Sequence, residues 1–170
     1  VHKINRLQMY FILVITLVIH LTVLDHIRIF GSKPDLMLIP VIFFGLFLGR
    51  GIGLEAGFAA GLAKDLFAID FFGINASIFA LIGYLAGVLG AMLSRESKKT
   101  QSLLAILFTI MSMILHFILV SVFLNRINVN FGEYLASSII PTAVYTAILS
   151  IPIFAKLQDL FNIRSSEEYF

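Results

Sequence analysis

From Gly45 to Gly61 a glycine recurs at every fourth position, at Gly45, Gly49, Gly53, Gly57 and Gly61, inside an apolar run that closes on Lys64-Asp65. In a water-exposed helix each of these would cost about 1 kcal/mol against alanine. In lipid, burying apolar surface gives helices little reason to associate, and residues without side chains at i and i+4 let two backbones approach closely. The ladder therefore predicts close helix packing within a membrane.

The composition agrees: 59% of the chain is apolar and only 13% is charged, with a mean hydropathy of +1.00, whereas soluble domains carry about a quarter charged residues. A polytopic all-α membrane protein is expected, with residues 1–170 forming a single transmembrane domain. No cysteine is present, which removes disulfide and thiolate chemistry. A net charge of +2 gives no electrostatic case for nucleic acid as a partner.

Crossing about 30 Å of hydrocarbon takes roughly 20 apolar residues. Apolar runs near 7–25, 35–49, 52–69, 74–93, 103–124 and 135–155 predict a six-helix bundle. The first run follows His2, Lys3 and Arg6; it is long and no small-residue cleavage site follows it, so it reads as a retained helix. The second is short, reaching only about 22 Å. Merging it with the third would overshoot the bilayer by about 20 Å, so a break is expected at Gly49-Arg50-Gly51. With the N-terminus inside, Lys3, Arg6, Arg50, Arg95, Lys98, Lys99, Lys156 and Arg164 fall on the cytoplasmic side, against Arg28, Lys33, Lys64 and Arg126 outside. That excess places both termini in the cytoplasm.

Few residues suggest chemistry. Asp65 and Asp70 flank the end of the third span. They could bind a cation or act as an acid/base pair, contact a partner or lipid, or belong to a turn in which Asp70 to Asn75 cap the fourth helix. Glu55, about one turn inside the third span, reads as a structural residue, with Arg50 either pairing with it or snorkelling to the cytoplasmic interface, and as a protonatable or ligand-contacting group in the sharper alternative. His20 and His116 lie mid-segment, as hydrogen-bonding packing residues or as parts of a proton path. Asn125, Arg126, Asn128 and Asn130 read as an exterior loop. Pro141 and Pro152 fall in the sixth helix, where proline is tolerated in membranes but often kinks the chain. The 17 phenylalanines read mostly as lipid-facing bulk, with no aromatic box for a cofactor. No intramembrane serine-protease pattern, zinc motif, phosphate loop or inverted repeat is found, so an enzyme is not expected, and neither is a cofactor or a metal.

The order of motifs is more telling than any one of them. Lys33-Pro34-Asp35-Leu36 opens the second span; Gly57-Phe58-Ala59-Ala60-Gly61-Leu62-Ala63-Lys64-Asp65 closes the third; Gly73-Ile74-Asn75-Ala76 and Gly83-Tyr84-Leu85-Ala86-Gly87 follow. In this order, in a small six-span chain, they resemble the MreD family of bacterial rod-shape-determining membrane proteins over about residues 1–155. The resemblance implies a non-catalytic subunit of the cell-wall elongation machinery in the bacterial inner membrane. Its implied partners are the bitopic protein MreC, the actin-like filament MreB, RodA and a penicillin-binding synthase. It also implies a fold like the substrate-binding S components of energy-coupling-factor vitamin transporters, six-helix bundles with a pocket near the exterior face. Pro34, Asp35, Gly57, Gly61, Asp65, Gly73, Asn75, Gly83 and Tyr84 carry over as motif positions, and Gly53 joins them on the packing face of the third span.

Two functions of different class follow. One is a scaffold whose glycine-lined faces dock MreC's single helix and whose exterior loops, Arg28 to Asp35 and Asp65 to Asn75, meet its periplasmic part. The other is a solute-binding subunit of a vitamin uptake transporter, which needs several converging polar side chains in its pocket. The exterior helix ends are expected to supply few of these. A channel or proton path through Glu55, His20 and His116 is a third, weaker reading.

Overall fold

A computed structural model describes residues 6–22, 33–68, 72–93, 95, 97–124, 131–161 and 163. Asp70, Arg28 and the Asn125–Asn130 loop lie outside the described residues, as do Lys3 and Arg164. The described secondary structure is entirely helical: α1 (Arg6–Thr22), α2 (Leu38–Leu48), α3 (Arg50–Asp65), α4 (Ile74–Met92), α5 (Lys98–Leu124) and α6 (Phe131–Leu160). Of these, α4, α5 and α6 are long and apolar enough to cross a membrane.

The α2 helix is apolar on every side and is buried from Leu38 to Leu46. A helix with no polar stripe belongs in an interior. Eleven residues rise only about 16 Å, and this shortness is tolerated because neighbouring helices rather than lipid surround it. Phe43 anchors it, packing against Phe44 and Phe154 at 5.7 Å and Phe161 at 6.1 Å between ring centroids. Phe43, Phe44, Phe79, Phe108 and Phe154 are fully buried. These phenylalanines build the core, while Phe11, Phe58, Phe67, Phe72 and Phe123 are exposed as outer apolar surface.

The chain breaks at Gly49, the single residue between α2 and α3, with φ 93° and ψ 171°. Almost only glycine adopts that combination, since a Cβ there meets its own backbone. No other atom lies within 4 Å of where a Gly49 Cβ would sit, so conformation alone selects glycine. Gly49→Ala is expected to destabilise the protein by about 1–3 kcal/mol, read as a lower unfolding midpoint in detergent. An unchanged midpoint would mean that the turn relaxes without strain.

Beyond the break, α3 folds back beside α2 and packs antiparallel on α4, the most extensive helix pair in the molecule. A methyl group at Gly53 would overlap the Gly83 carbonyl, one at Gly57 the Phe79 carbonyl, and one at Gly61 the Asn75 carbonyl. The α2 side of the ladder joins the same seam: a Cβ on Gly45 would sit 2.6 Å from the Gly83 oxygen and 2.7 Å from Ala86 Cβ. Gly87 and Gly90 on α4 reciprocate, against the backbone at Gly49-Arg50 and at Leu46. The ladder is thus broken in direction at Gly49, yet both halves converge on α4.

In α6 a π-helical stretch, Leu135–Ile139, precedes Pro141. Proline has no N–H to return to the Ser137 carbonyl four residues back, and the wide turn absorbs the mismatch, with the Ile140 N–H reaching the Leu135 carbonyl.

Candidate functional site

The end of α3 and the start of α4 are joined by one carboxylate. Asp65, only 3% exposed, accepts hydrogen bonds at Oδ2 from the Gly73 and Ala76 N–H groups, both 2.9 Å. Its Oδ1 accepts from the Asn75 N–H at 3.1 Å and the Asn75 side-chain amide at 2.8 Å. The first turn of a helix leaves its N–H groups without intrahelical partners and carries partial positive charge, and a carboxylate answers both. Gly73, with φ 100°, provides the left-handed turn that aims these groups at it. The cap therefore comes from Asp65 across the turn. Donors surround the carboxylate, leaving no lone-pair direction for a cation.

Next to this cap, Lys64 Nζ lies 2.7 Å from Asp35 Oδ2 and 4.9 Å from the centre of the Phe79 ring. Pro34 is buried, and the Asp35 N–H donates to Thr146 Oγ1 at 3.0 Å. Segment 33–37 is thereby pinned to α3 through an ion pair and to α6 through a hydroxyl.

These contacts wall one side of a cavity of about 440 Å³. Lys33, Asp35, Lys64 and Asn75 line it from the helix ends, and His20 from the last turn of α1. Across it stand Ser112 and His116 of α5, with Tyr134, Ser138 and Thr142 of α6. Tyr134 is held by stacking on Phe117, 5.1 Å between ring centroids. Polar side chains thus converge here in number, contrary to the expectation that the helix ends would supply few. The two histidines line the same cavity, from α1 and from α5.

Glu55 is placed elsewhere. Its Oε1 accepts from the Tyr10 hydroxyl at 2.7 Å and its Oε2 lies 3.6 Å from Arg6. The partner is α1, not Arg50, and the contact clips α1 to α3. Glu55 does not line the cavity that His20 and His116 share.

Of the positions singled out from sequence, Pro34, Asp35 and Asn75 are at the cavity, and Asp65 and Gly73 form the adjoining cap. Gly53, Gly57, Gly61 and Gly83 lie in the α3–α4 seam. Tyr84 is on the outer side of α4, exposed. The glycine faces are occupied by α4 of the same chain, so they do not serve as a free docking face. Ser112, Tyr134, Ser138 and Thr142 were not singled out from sequence. The signal for the three on α6 was the spacing of four in Tyr134, Ser138, Thr142 and Thr146, a polar stripe along an otherwise apolar helix.

Helix bundle, glycine-packed hairpin and polar cavity define a class: an all-α membrane protein, with no strand among the described residues. A family model described as rod shape-determining protein MreD matches residues 2–164. The chain belongs to the MreD family, a shape-determining structural family rather than a known enzyme family. No curated protein and no solved structure matches it.

Proposed function

We propose that this protein is a non-catalytic subunit of the bacterial cell-elongation complex. In this reading it is a multi-pass protein of the inner membrane with both termini cytoplasmic. It binds a bitopic MreC-like protein and helps couple the MreB filament to peptidoglycan synthesis by RodA and a penicillin-binding synthase. The observation that carries the reading is the family match across residues 2–164. Since α4 occupies the glycine seam, a partner's single helix would lie on outer apolar surfaces, among which are Phe11 and Val14 of α1, Leu103 and Leu107 of α5, and Val144 and Ile148 of α6. The partner's periplasmic part would meet segments 33–35 and 65–75.

The vitamin-transporter alternative draws on the polar cavity, but the family match weighs against it. Crosslinking in native membranes followed by purification of this chain separates the two. Recovery of an MreC-like bitopic protein is the expected result. Recovery of an ATPase-coupling module in its place would overturn the reading.

A further inference from the structure

We propose that the cavity binds a neutral ligand rich in hydroxyl groups, a sugar or polyol, one of whose hydroxyls donates to the Asp35 carboxylate. The starting point is an oxygen without a donor. Asp35 lines the cavity. Its Oδ2 lies 2.7 Å from Lys64 Nζ, while its Oδ1 is buried and meets no hydrogen-bond donor among the described residues. The neighbouring carboxylate differs: Asp65 has both oxygens filled by the α4 cap. An acceptor left unmet in a protein interior costs about 1–3 kcal/mol, and such a group calls for a ligand, a water or a functional reason. The terminal torsion of aspartate is broad and roughly twofold, and Lys64 carries three N–H donors. The carboxylate can therefore turn its second oxygen to the cavity without giving up the ion pair.

Charge disfavours ions of either sign. An anion would come against the Asp35 oxygen that no donor shields, and a cation against the Lys64 ammonium; low-dielectric walls strengthen both repulsions. Lys33 also lines the cavity but is exposed, where solvent and salt screen its charge. A neutral donor meets neither penalty. The opposite wall asks for several such groups. Ser112 of α5 and Tyr134, Ser138 and Thr142 of α6 present hydroxyls, each able to donate and to accept, and they match a ligand that does both. Ser138 belongs to the π-helical stretch, a widened turn of the kind that recurs at functional sites. The rings of Phe67 and Tyr134 add apolar surface suited to the C–H faces of a sugar. The volume of about 440 Å³ lies within the range of small-molecule sites. It can hold a free sugar or the head group of a glycolipid, and the chemistry recognised is the same. The inference does not rest on the partner assignment, because ligand binding can be read on the protein alone.

The test uses the full chain in nanodiscs of neutral phosphatidylcholine, with the thermal unfolding midpoint as readout. One arm adds methyl α-glucoside in solution; the other replaces part of the lipid with monoglucosyl-diacylglycerol. A probe that binds the native state raises the midpoint, and a saturable rise in either arm is expected. The soluble arm would identify a free ligand and the lipid arm a head group. Sugars also stabilise proteins by exclusion from their surface, an effect that does not saturate, so only the saturable part counts. Tyr134→Phe and Thr142→Val each keep the shape and remove one hydroxyl. They should leave the probe-free midpoint nearly unchanged and weaken the responding probe about tenfold. Asp35→Asn should weaken it at least as much; it also breaks the Lys64 ion pair, and if that variant fails to fold the two hydroxyl variants carry the test. The proposal is overturned if neither probe gives a saturable rise in the wild-type protein, if Tyr134→Phe and Thr142→Val both respond as wild type does, or if the anion sn-glycerol 3-phosphate or the cation ethanolamine gives a larger shift than either sugar probe.

Discussion

Gly57→Ala is expected to destabilise the bundle by about 3 kcal/mol or more, at or beyond the top of the range for overpacking a tight contact. The added methyl would overlap the Phe79 carbonyl and stand 2.9 Å from the Ala80 nitrogen. Both belong to the backbone of α4, so no side chain can swing aside and the whole helix must withdraw. Withdrawal would also open the contacts on either side, Gly53 with Gly83 and Gly61 with Ala76. Gly51→Ala is the matched control. It lies on the same helix with nothing within 4 Å of its would-be Cβ, and it should be neutral or stabilising by about 0.5 kcal/mol through reduced freedom of the unfolded chain. Equilibrium unfolding in mixed micelles compares the two directly. Equal stability of both variants would mean that α3 and α4 are not in backbone contact at Gly57.

The second large effect is expected from Asp65→Asn, at about 3–4 kcal/mol. The carboxylate receives four donors, and an amide can offer only one oxygen to them. Its NH2 group would face two N–H groups, each unmet donor costing about 1–3 kcal/mol. The favourable interaction of negative charge with the α4 N-terminus is lost as well. Membrane insertion should persist, because removing a charge does not raise the cost of placing this segment in lipid. The expected pattern is thus normal membrane abundance, a lowered unfolding midpoint and weakened assembly with an MreC-like partner. A wild-type midpoint in Asp65→Asn would show that the α4 cap contributes little.

Both predictions rest on features visible in the sequence whose meaning depended on what lies opposite. The spacing of four from Gly45 to Gly61 announced close packing, and the span-length limit located the break at Gly49-Arg50-Gly51. What faces the ladder could not be read, since a glycine face fits a partner's helix as well as a neighbouring helix of its own chain. Asp65 stood out as a carboxylate at a span end. Assigning the cap to nearby Asp70–Asn75 followed local rules, while the structure takes the acceptor from the preceding helix, a choice set by how α3 and α4 cross. Glu55 shows the same limit. A charge inside a span needs a partner, and Arg50 was near in sequence, but Arg6 and Tyr10 are near in space.

The sequence by itself determined an all-α membrane bundle and its family, because hydropathy, glycine spacing and motif order are properties of the chain taken one stretch at a time. Only the tertiary structure decided that the glycines are used within the chain, that α2 is a buried central helix, and that polar residues of α1, α3, α4, α5 and α6 meet segment 33–35 around one cavity. Those outcomes depend on which faces of separate helices are brought together, and packing between distant segments is a property of the folded chain alone.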